Sequence, residues 1–445
     1  MITCANDEVL SGRRRCMSPP MPRLLAGALA ALAATVISSA ASADSCAPVT
    51  RSNVAACAVG ASAAVRSDRE AVAAAAGRRV AASPWLPSNP VLAVTLARRG
   101  GTDGRGDALN YTASLSQEIA IAGQRGARRR AAEADVDARV QEGAATARRV
   151  AADGYSAWFD VVAARDAVAV ARRLESTAQQ IARVTRGRAD AGVGSPLEAE
   201  VADAASLRVT QARVEAEREL RVDTARLAAL LGRDPLREHV AVAGDLEPLG
   251  GADAIARSAS EDLARRRPEV LALANERRAH EARAEALRRA RVPSPALQVF
   301  AQNDGYDERV LGAGLSVPIP LPEPVGRLHA GEIREAEALA RQTGAKRELV
   351  VRELGAELAA AVATYEGRRE EAALFTRERA LRSEQLLSEI GAEIEAGRLP
   401  VRDALLAQQQ LIDVLRGAVE TRRALCLASV ELALAAGVAL EGGAR

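Results

Sequence analysis

The chain lays out its architecture twice, and the second statement follows the first at a fixed spacing. Gly192 and Gly397, Glu198 and Asp403, Ala202 and Ala407, and Gly232 and Gly437 are all separated by the same interval. Ahead of them, SQEIAIAGQRGAR from Ser116 aligns with SVPIPLPEPVGRL from Ser316, matching Ile119 to Ile319 and Gly126 to Gly326. A period of some two hundred residues is far longer than the roughly 20–50 residues of a solenoid repeat. It signals duplication of a whole structural unit: a strand-rich segment, a very long Ala-rich helix, a Gly-marked turn and a returning helix.

The helices carry most of the length. No proline interrupts residues 127–190, and small residues recur at three- and four-residue spacing through Val140, Gly143, Ala147, Val150, Gly154, Ala157, Val161, Ala164 and Val168. Such a seam lets helices pack closely, and at 1.5 Å per residue it predicts a rod on the order of 100 Å. The second copy predicts a similar rod over 327–395, with Val351, Leu354, Leu358, Ala361 and Tyr365 on its seam. Turns at 191–196 and 396–400 are marked by Gly and Pro, and return helices are expected near 197–231 and 401–437. The chain has 445 residues and is 48% hydrophobic but only 2% aromatic, so a conventional globular core is not expected. Charged residues make up 27% and nearly cancel at +2, interspersed as on solvated coiled-coil faces. That balance gives no reason to expect a nucleic-acid partner.

The amino terminus points to export. Arg13 to Arg15 and Arg23 precede an apolar run from Leu24 to Ile37 and a small-residue triplet, Ala41-Ser42-Ala43. This predicts a secretory signal peptide over 1–43, a mature chain starting at Asp44, and export of a product translated from Met21; the competing reading is a membrane anchor, for which the run is short. Cys46 lacks a preceding lipobox, so lipidation is not expected. Cys46 and Cys57 are candidates for a disulfide in an oxidising compartment, and Cys426, in an Ala/Leu-rich helix, is expected to be a small buried packing residue.

No stretch of the mature chain is apolar enough for a transmembrane helix, so any membrane contact falls to strands. In the segment 109–118, Leu109, Tyr111, Ala113 and Leu115 alternate with Asn110, Thr112, Ser114 and Ser116, and residues 90–99 supply a second extended segment. The second copy sets Leu297, Val299 and Ala301 against Gln298 and Gln302, then Leu311, Ala313, Leu315 and Val317 against Gly312, Gly314 and Ser316. This alternation suits strands with lipid on one side and water on the other. Four strands cannot close a barrel, and open edges are not tolerated in lipid, so other subunits must complete it. The competing reading is a pair of surface hairpins on a soluble helical protein. It draws on the shortage of interfacial aromatics, for which Trp85, Tyr111, Phe300 and Tyr306 are the nearby candidates. Arg105-Gly106-Asp107 resembles an adhesion tripeptide and is read as chance within a polar loop.

The segments SNPVLAVTL, YTASLSQEIAIAGQRGARRRAAEADV, GVGSPLEAEVADAASL, LAALLGRDP, RRPEVLALANERRAHEARAEAL, GAGLSVPIPLPEPVGRLHAGEIREAEA and AGRLPVRDALLAQQQL together resemble the TolC-type outer-membrane efflux proteins. Within that family they are most similar to the heavy-metal-efflux, CzcC-like branch. The resemblance runs from about residue 84 to 440. It implies a mainly α fold with a small β part: long coiled-coil hairpins plus four transmembrane strands per protomer, assembled as a homotrimeric α/β-barrel channel-tunnel. Its implied partners are outer-membrane lipid, a periplasmic adaptor and an inner-membrane transporter of the RND type; no cofactor is implied. The chain then divides into the signal peptide 1–43, an N-terminal segment and helix 44–83, a first repeat 84–232, a linker 233–267 with a short helix near 252–263, a second repeat 268–440 and a tail 441–445.

The resemblance also assigns candidate sites. Gly192, Val193, Gly194, Ser195 and Pro196 in one tip, and Gly397, Arg398, Leu399 and Pro400 in the other, match the region where an adaptor would dock; ordinary helix capping by the two glycines accounts for them equally. The sequence departs from the best-known members at Leu399-Pro400 and Arg402. Glu198 and Asp403 match the acidic position after each tip, near the periplasmic constriction. Rings of such carboxylates would favour cations in a gated aperture, with Arg186 and Arg402 as compensating partners; solvated acids at helix starts are the other reading. Arg125, Arg128, Arg327 and Arg334 are expected to line the periplasmic exit of the barrel rather than to bind anything specific. Against an enzyme, His239, His280 and His329 stand isolated and there is no nucleophile set or phosphate-cradling loop. The rival functions are a periplasmic adaptor, which would show one hairpin flanked by lipoyl and barrel-like β segments, an outer-membrane channel for drugs or type I secretion, and a secreted structural coiled coil.

Overall fold

The computed structural model describes residues 46–100, 108–238, 240–303, 308–322, 324–326 and 328–438. The signal peptide, Arg105-Gly106-Asp107, His239, Tyr306, Arg327 and the tail 441–445 lie outside the described residues.

Two short helices, α1 (Val54–Ala61) and α2 (Ala63–Ala81), lead into a hairpin of β1 (Val91–Arg99) and β2 (Ala108–Glu118). The first rod, α3, runs unbroken from Gln124 to Asp190 and returns as α4 (Pro196–Leu230). Its 67 residues correspond to about 100 Å. The linker holds two short helices, α5 (Ala252–Ser258) and α6 (Glu261–Arg265), before α7 (Pro268–Ala290) rises to the second hairpin, β3 (Ala296–Asn303) and β4 (Arg309–Ser316). The second descent is made by α8 (Ala330–Leu374) and α9 (Arg377–Glu395), and α10 (Val401–Ala435) returns.

The break between α8 and α9 corrects the expected continuous rod over 327–395. Phe375 leaves helical geometry at φ −108°, ψ 65°, and the Thr376 hydroxyl restarts the helix by accepting from the Arg379 amide at 3.3 Å. The Phe375 ring lies against Gly417 of α10, where a Cβ would come within 2.9 Å of it. The interruption contains neither glycine nor proline; Gly417 leaves room for the displaced ring, and Thr376 caps the restarted helix.

The four strands form one antiparallel sheet in the order β1-β2-β3-β4. Its register aligns the apolar positions of all four strands on one face: Val94, Ala113, Ala301 and Leu311 follow one another across one row, and Leu92, Leu115, Val299 and Ala313 lie across the next. Most of the large apolar side chains on this face are exposed. The other face carries Thr95, Thr112, Gln298 and Gln302. Phe300 also lies on this polar face, opposite Gly312, whose missing side chain leaves room for the ring. It therefore stands on the opposite face from Tyr111 and the other exposed apolar side chains, which corrects its expected place among the girdle candidates.

The main core lies midway along α3. Tyr155, Trp158 and Phe159 are fully buried there, against Val49, Val54 and Ala58 from the N-terminal segment, Leu227 of α4 and Val430 of α10. A disulfide joins Cys46 to Cys57 with Cα atoms 6.1 Å apart. It fastens a strap in which Val49 bridges to Val242 of the linker and the Cys46 carbonyl accepts from Arg233 at 2.9 Å. Cys426 is buried in the same core, and burial pushes its thiol up to about 12.

Candidate functional site

The two hairpin tips are built by the same hydrogen bonds. At the end of α3 the Gly192 amide donates to the Ala189 carbonyl at 3.0 Å and the Val193 amide to Arg188 at 2.9 Å; at the end of α9 the Gly397 amide donates to Ile394 and the Arg398 amide to Glu393, both at 3.0 Å. Both are Schellman closures, which need a residue in the left-handed region just past the helix. Gly192 and Gly397 supply it at φ 72° each, a conformation that costs glycine least. The next helices restart after Ser195, with Pro196 at the first helical position, and after Pro400.

The structure brings the tips side by side. The Arg188 guanidinium of the first tip donates to the Ile394 carbonyl in the last turn of α9, so one tip caps the other. Arg188 escaped the sequence reading; its signal is a basic residue in a final helical turn, where it meets unsatisfied carbonyls. Arg398 grips the Glu393 carboxylate with two bonds of 2.8 and 2.6 Å, and this contact holds Glu393 below the usual carboxylate range. At the apex Val193 and Leu197 are each 72% exposed, whereas Leu399 is half-buried beside Leu386, Ile390 and Leu411 in a groove of about 390 Å³. The first tip thus presents a bare apolar knob, and the second a leucine-lined hollow.

Glu198 and Asp403 occupy equivalent places in the first turns of α4 and α10. Glu198 is half-buried and Asp403 exposed, and neither makes an ion pair among the described residues. The expected compensation by Arg186 is not made: its guanidinium pairs with Asp203 and lies 3.6 Å from Glu200. Arg402 is exposed and makes no ion pair among the described residues either. Among the described residues both carboxylates are therefore left without a cationic partner. Arg125 and Arg128 lie in the opening turns of α3, Arg125 donating to the Ser83 carbonyl at 2.8 Å, and Arg334 lies in the opening turns of α8.

Removing the inter-tip clasp has a local expected effect. Arg188→Ala should speed amide hydrogen exchange over residues 394–399 several-fold while global melting moves little, because a charge-assisted bond at a rod end contributes about 1.5–3 kcal/mol to local order. Unchanged exchange there would show that the tips hold their geometry independently.

Comparison with known proteins agrees with this geometry. Residues 61–233 match the outer membrane efflux protein family. The CyaE protein of Bordetella pertussis is 27% identical over 303 residues, covering 64% of this chain and 64% of that protein. Among solved structures, CusC superposes with a TM-score of 0.71 at 15% identity, covering 87% of this chain and 92% of that one. The CmeC outer membrane channel of Campylobacter jejuni gives 0.71 at 14% identity, covering 89% and 87%. The open-state MtrE outer membrane channel of Neisseria gonorrhoeae gives 0.68 at 17% identity, covering 88% and 90%. The fold is that of the outer-membrane efflux channels. The segment 61–233 carries that family's sequence pattern as well.

Proposed function

We propose that this chain is the outer-membrane channel of a tripartite efflux system, a homotrimer that passively conducts exported substrate across the periplasm and outer membrane. The observation that carries the reading is the sheet: four strands with one continuous, exposed apolar face and two unpaired edges, β1 and β4. In water such a face and such edges are aggregation hazards. Three copies joined edge to edge give a closed twelve-stranded barrel in which the apolar face meets lipid. Among the described residues no helix is long and apolar enough to cross a membrane, so the crossing falls to the strands. The helical hairpins then form the periplasmic tunnel, and their paired tips dock an adaptor that leads to an inner-membrane transporter of the RND type. Heavy-metal cations are the cargo class favoured by the CzcC-like sequence pattern. Membrane fractionation with mass measurement of the detergent-extracted protein tests this; a monodisperse soluble monomer would overturn it.

The tip acids give the tunnel its expected selectivity. Three copies place up to six unpaired carboxylates, Glu198 and Asp403 in each, around the periplasmic opening, where their mutual repulsion is relieved by passing cations. In planar bilayers the Glu198→Ala, Asp403→Ala double variant should lose several-fold in cation preference with the trimer intact, since exposed helix-start charges contribute little to stability. Selectivity equal to wild type would reduce both to solvated helix-start residues.

A further inference from the structure

Two arginine-rich stretches far apart in the sequence meet at the sheet-proximal end of the helices. Arg125, Arg128, Arg129 and Arg130 occupy the opening turns of α3, and Arg288, Arg289 and Arg291 the end of α7 and the residue after it. The Arg289 guanidinium donates to the Ala122 carbonyl at 3.2 Å, and the Gln124 amide group donates to Val292 at the same distance. The start of α8, with Arg334, joins them through Arg291, which donates to the Leu328 carbonyl at 2.9 Å.

For α3 the arrangement is electrostatically adverse. A helix amino terminus carries partial positive charge and favours acids. Here the first turn holds no acid, Gly123 offers no side-chain cap, and the arginines repel both the dipole and one another. Internal compensation is partial: Arg129 pairs with Glu133, Arg288 with Glu337 and Arg289 with Glu285. Arg128, Arg130 and Arg334 are exposed and make no ion pair among the described residues, although Arg130, after Arg289 and Arg288, adds to the attraction that holds the Glu285 carboxyl low.

The neighbourhood is apolar in a way that water does not favour. Trp85 is 80% exposed with the Arg125 guanidinium 4.1 Å above its ring, and Ile121, Val292 and Ile319 are exposed in the same junction. Arginine beside exposed tryptophan and isoleucine, just past the ends of membrane-crossing strands, is the composition that settles at lipid headgroups. Basic clusters at that level attract anionic lipid.

We propose that this arginine collar binds the phosphate headgroups of anionic phospholipids in the periplasm-facing leaflet, with Arg128, Arg130 and Arg334 as the contacts. The inference rests on the sheet being the membrane-crossing part. A bound headgroup sets negative charge at the α3 amino terminus, offsetting the dipole and the repulsion among the arginines together.

The test uses the full-length protein in non-ionic detergent, its thermal midpoint read with added phosphatidylglycerol, phosphatidylcholine or inorganic phosphate at equal concentration. Phosphatidylglycerol alone should raise the midpoint. The Arg128→Gln, Arg130→Gln, Arg334→Gln variant should lose at least half of that rise, measured from its own lipid-free midpoint, while Arg208→Gln, Arg218→Gln on the distant face of α4 keeps it whole. An equal rise with phosphatidylcholine or with inorganic phosphate, or a full rise in the triple variant, overturns the collar. Oligomeric mass on the same samples separates the two readings. A detergent-stable oligomer without a phosphatidylglycerol response overturns the collar alone, whereas a soluble monomer overturns the channel and the collar with it.

Discussion

If the proposed channel reading holds, Ala113→Arg removes the protein from the outer membrane, while Thr112→Arg, one residue away, leaves it there. Both residues lie at the middle of β2, an inner strand of the sheet. Ala113 is paired with Val94 and Ala301 on the apolar face; Thr112 is paired with Thr95 and Gln302 on the polar face. Because side chains alternate strictly along a strand, in the proposed barrel this single step carries the new charge from lipid to lumen. An arginine facing lipid near the midplane costs about 2–4 kcal/mol, and every copy in the ring bears it. The same residue in the lumen stays hydrated. Density flotation of membranes, together with the yield of SDS-resistant oligomer, distinguishes the outcomes. Equal yields for the two variants would mean that the sheet does not separate lipid from water.

Much of this design is legible in the sequence wherever a local rule suffices. Alternation defines the two strand faces, and the unbroken run before Asp190 defines α3. The glycines at 192 and 397 mark turns because few other residues accept their backbone geometry. What the sequence conceals depends on partners distant in the chain. The break at Phe375 and Thr376 contains neither glycine nor proline, and Gly417, which makes room for the Phe375 ring, lies across the bundle on α10. Arg188 and Ile394 meet only because two hairpins stand side by side. Arg186 sits more than a turn back from the tip on α3, level with Glu200 and Asp203 on the returning helix, so Glu198 lies too close to the tip to share it. The role expected for Phe300 followed residue type, although its parity with Gln298 and Gln302 already assigned it to the polar face. The meeting of the two arginine stretches likewise follows from the strand order, which places the start of α3 beside the end of α7.

Trp158 is expected to separate the effect of packing from that of polarity in the core. A chain with so few aromatic residues concentrates three of them here, and Trp158 joins three parts of the molecule. It stacks edge-on to Phe159 with centroids 4.9 Å apart, packs in the cluster that receives the strap residues Val49 and Val54, and lies under the linker at Gly244. Gly244 has φ 130°, and a Cβ there would fall 2.6 Å from the indole. Trp158→Ala should therefore cost about 3–5 kcal/mol, the usual range for emptying a large aromatic site, seen as a lowered midpoint of helical circular dichroism and as early proteolysis of the strap. Trp158→Phe should cost far less. The indole Nε1 is buried without an acceptor among the described residues, and leaving such a donor unsatisfied costs about 1–3 kcal/mol. Phenylalanine removes that cost while filling most of the space, so the two terms nearly cancel. A Trp158→Phe midpoint as low as that of Trp158→Ala would show that the indole nitrogen is satisfied after all. It would also shift the role of this residue from filling the core to holding a polar contact between α3 and the linker.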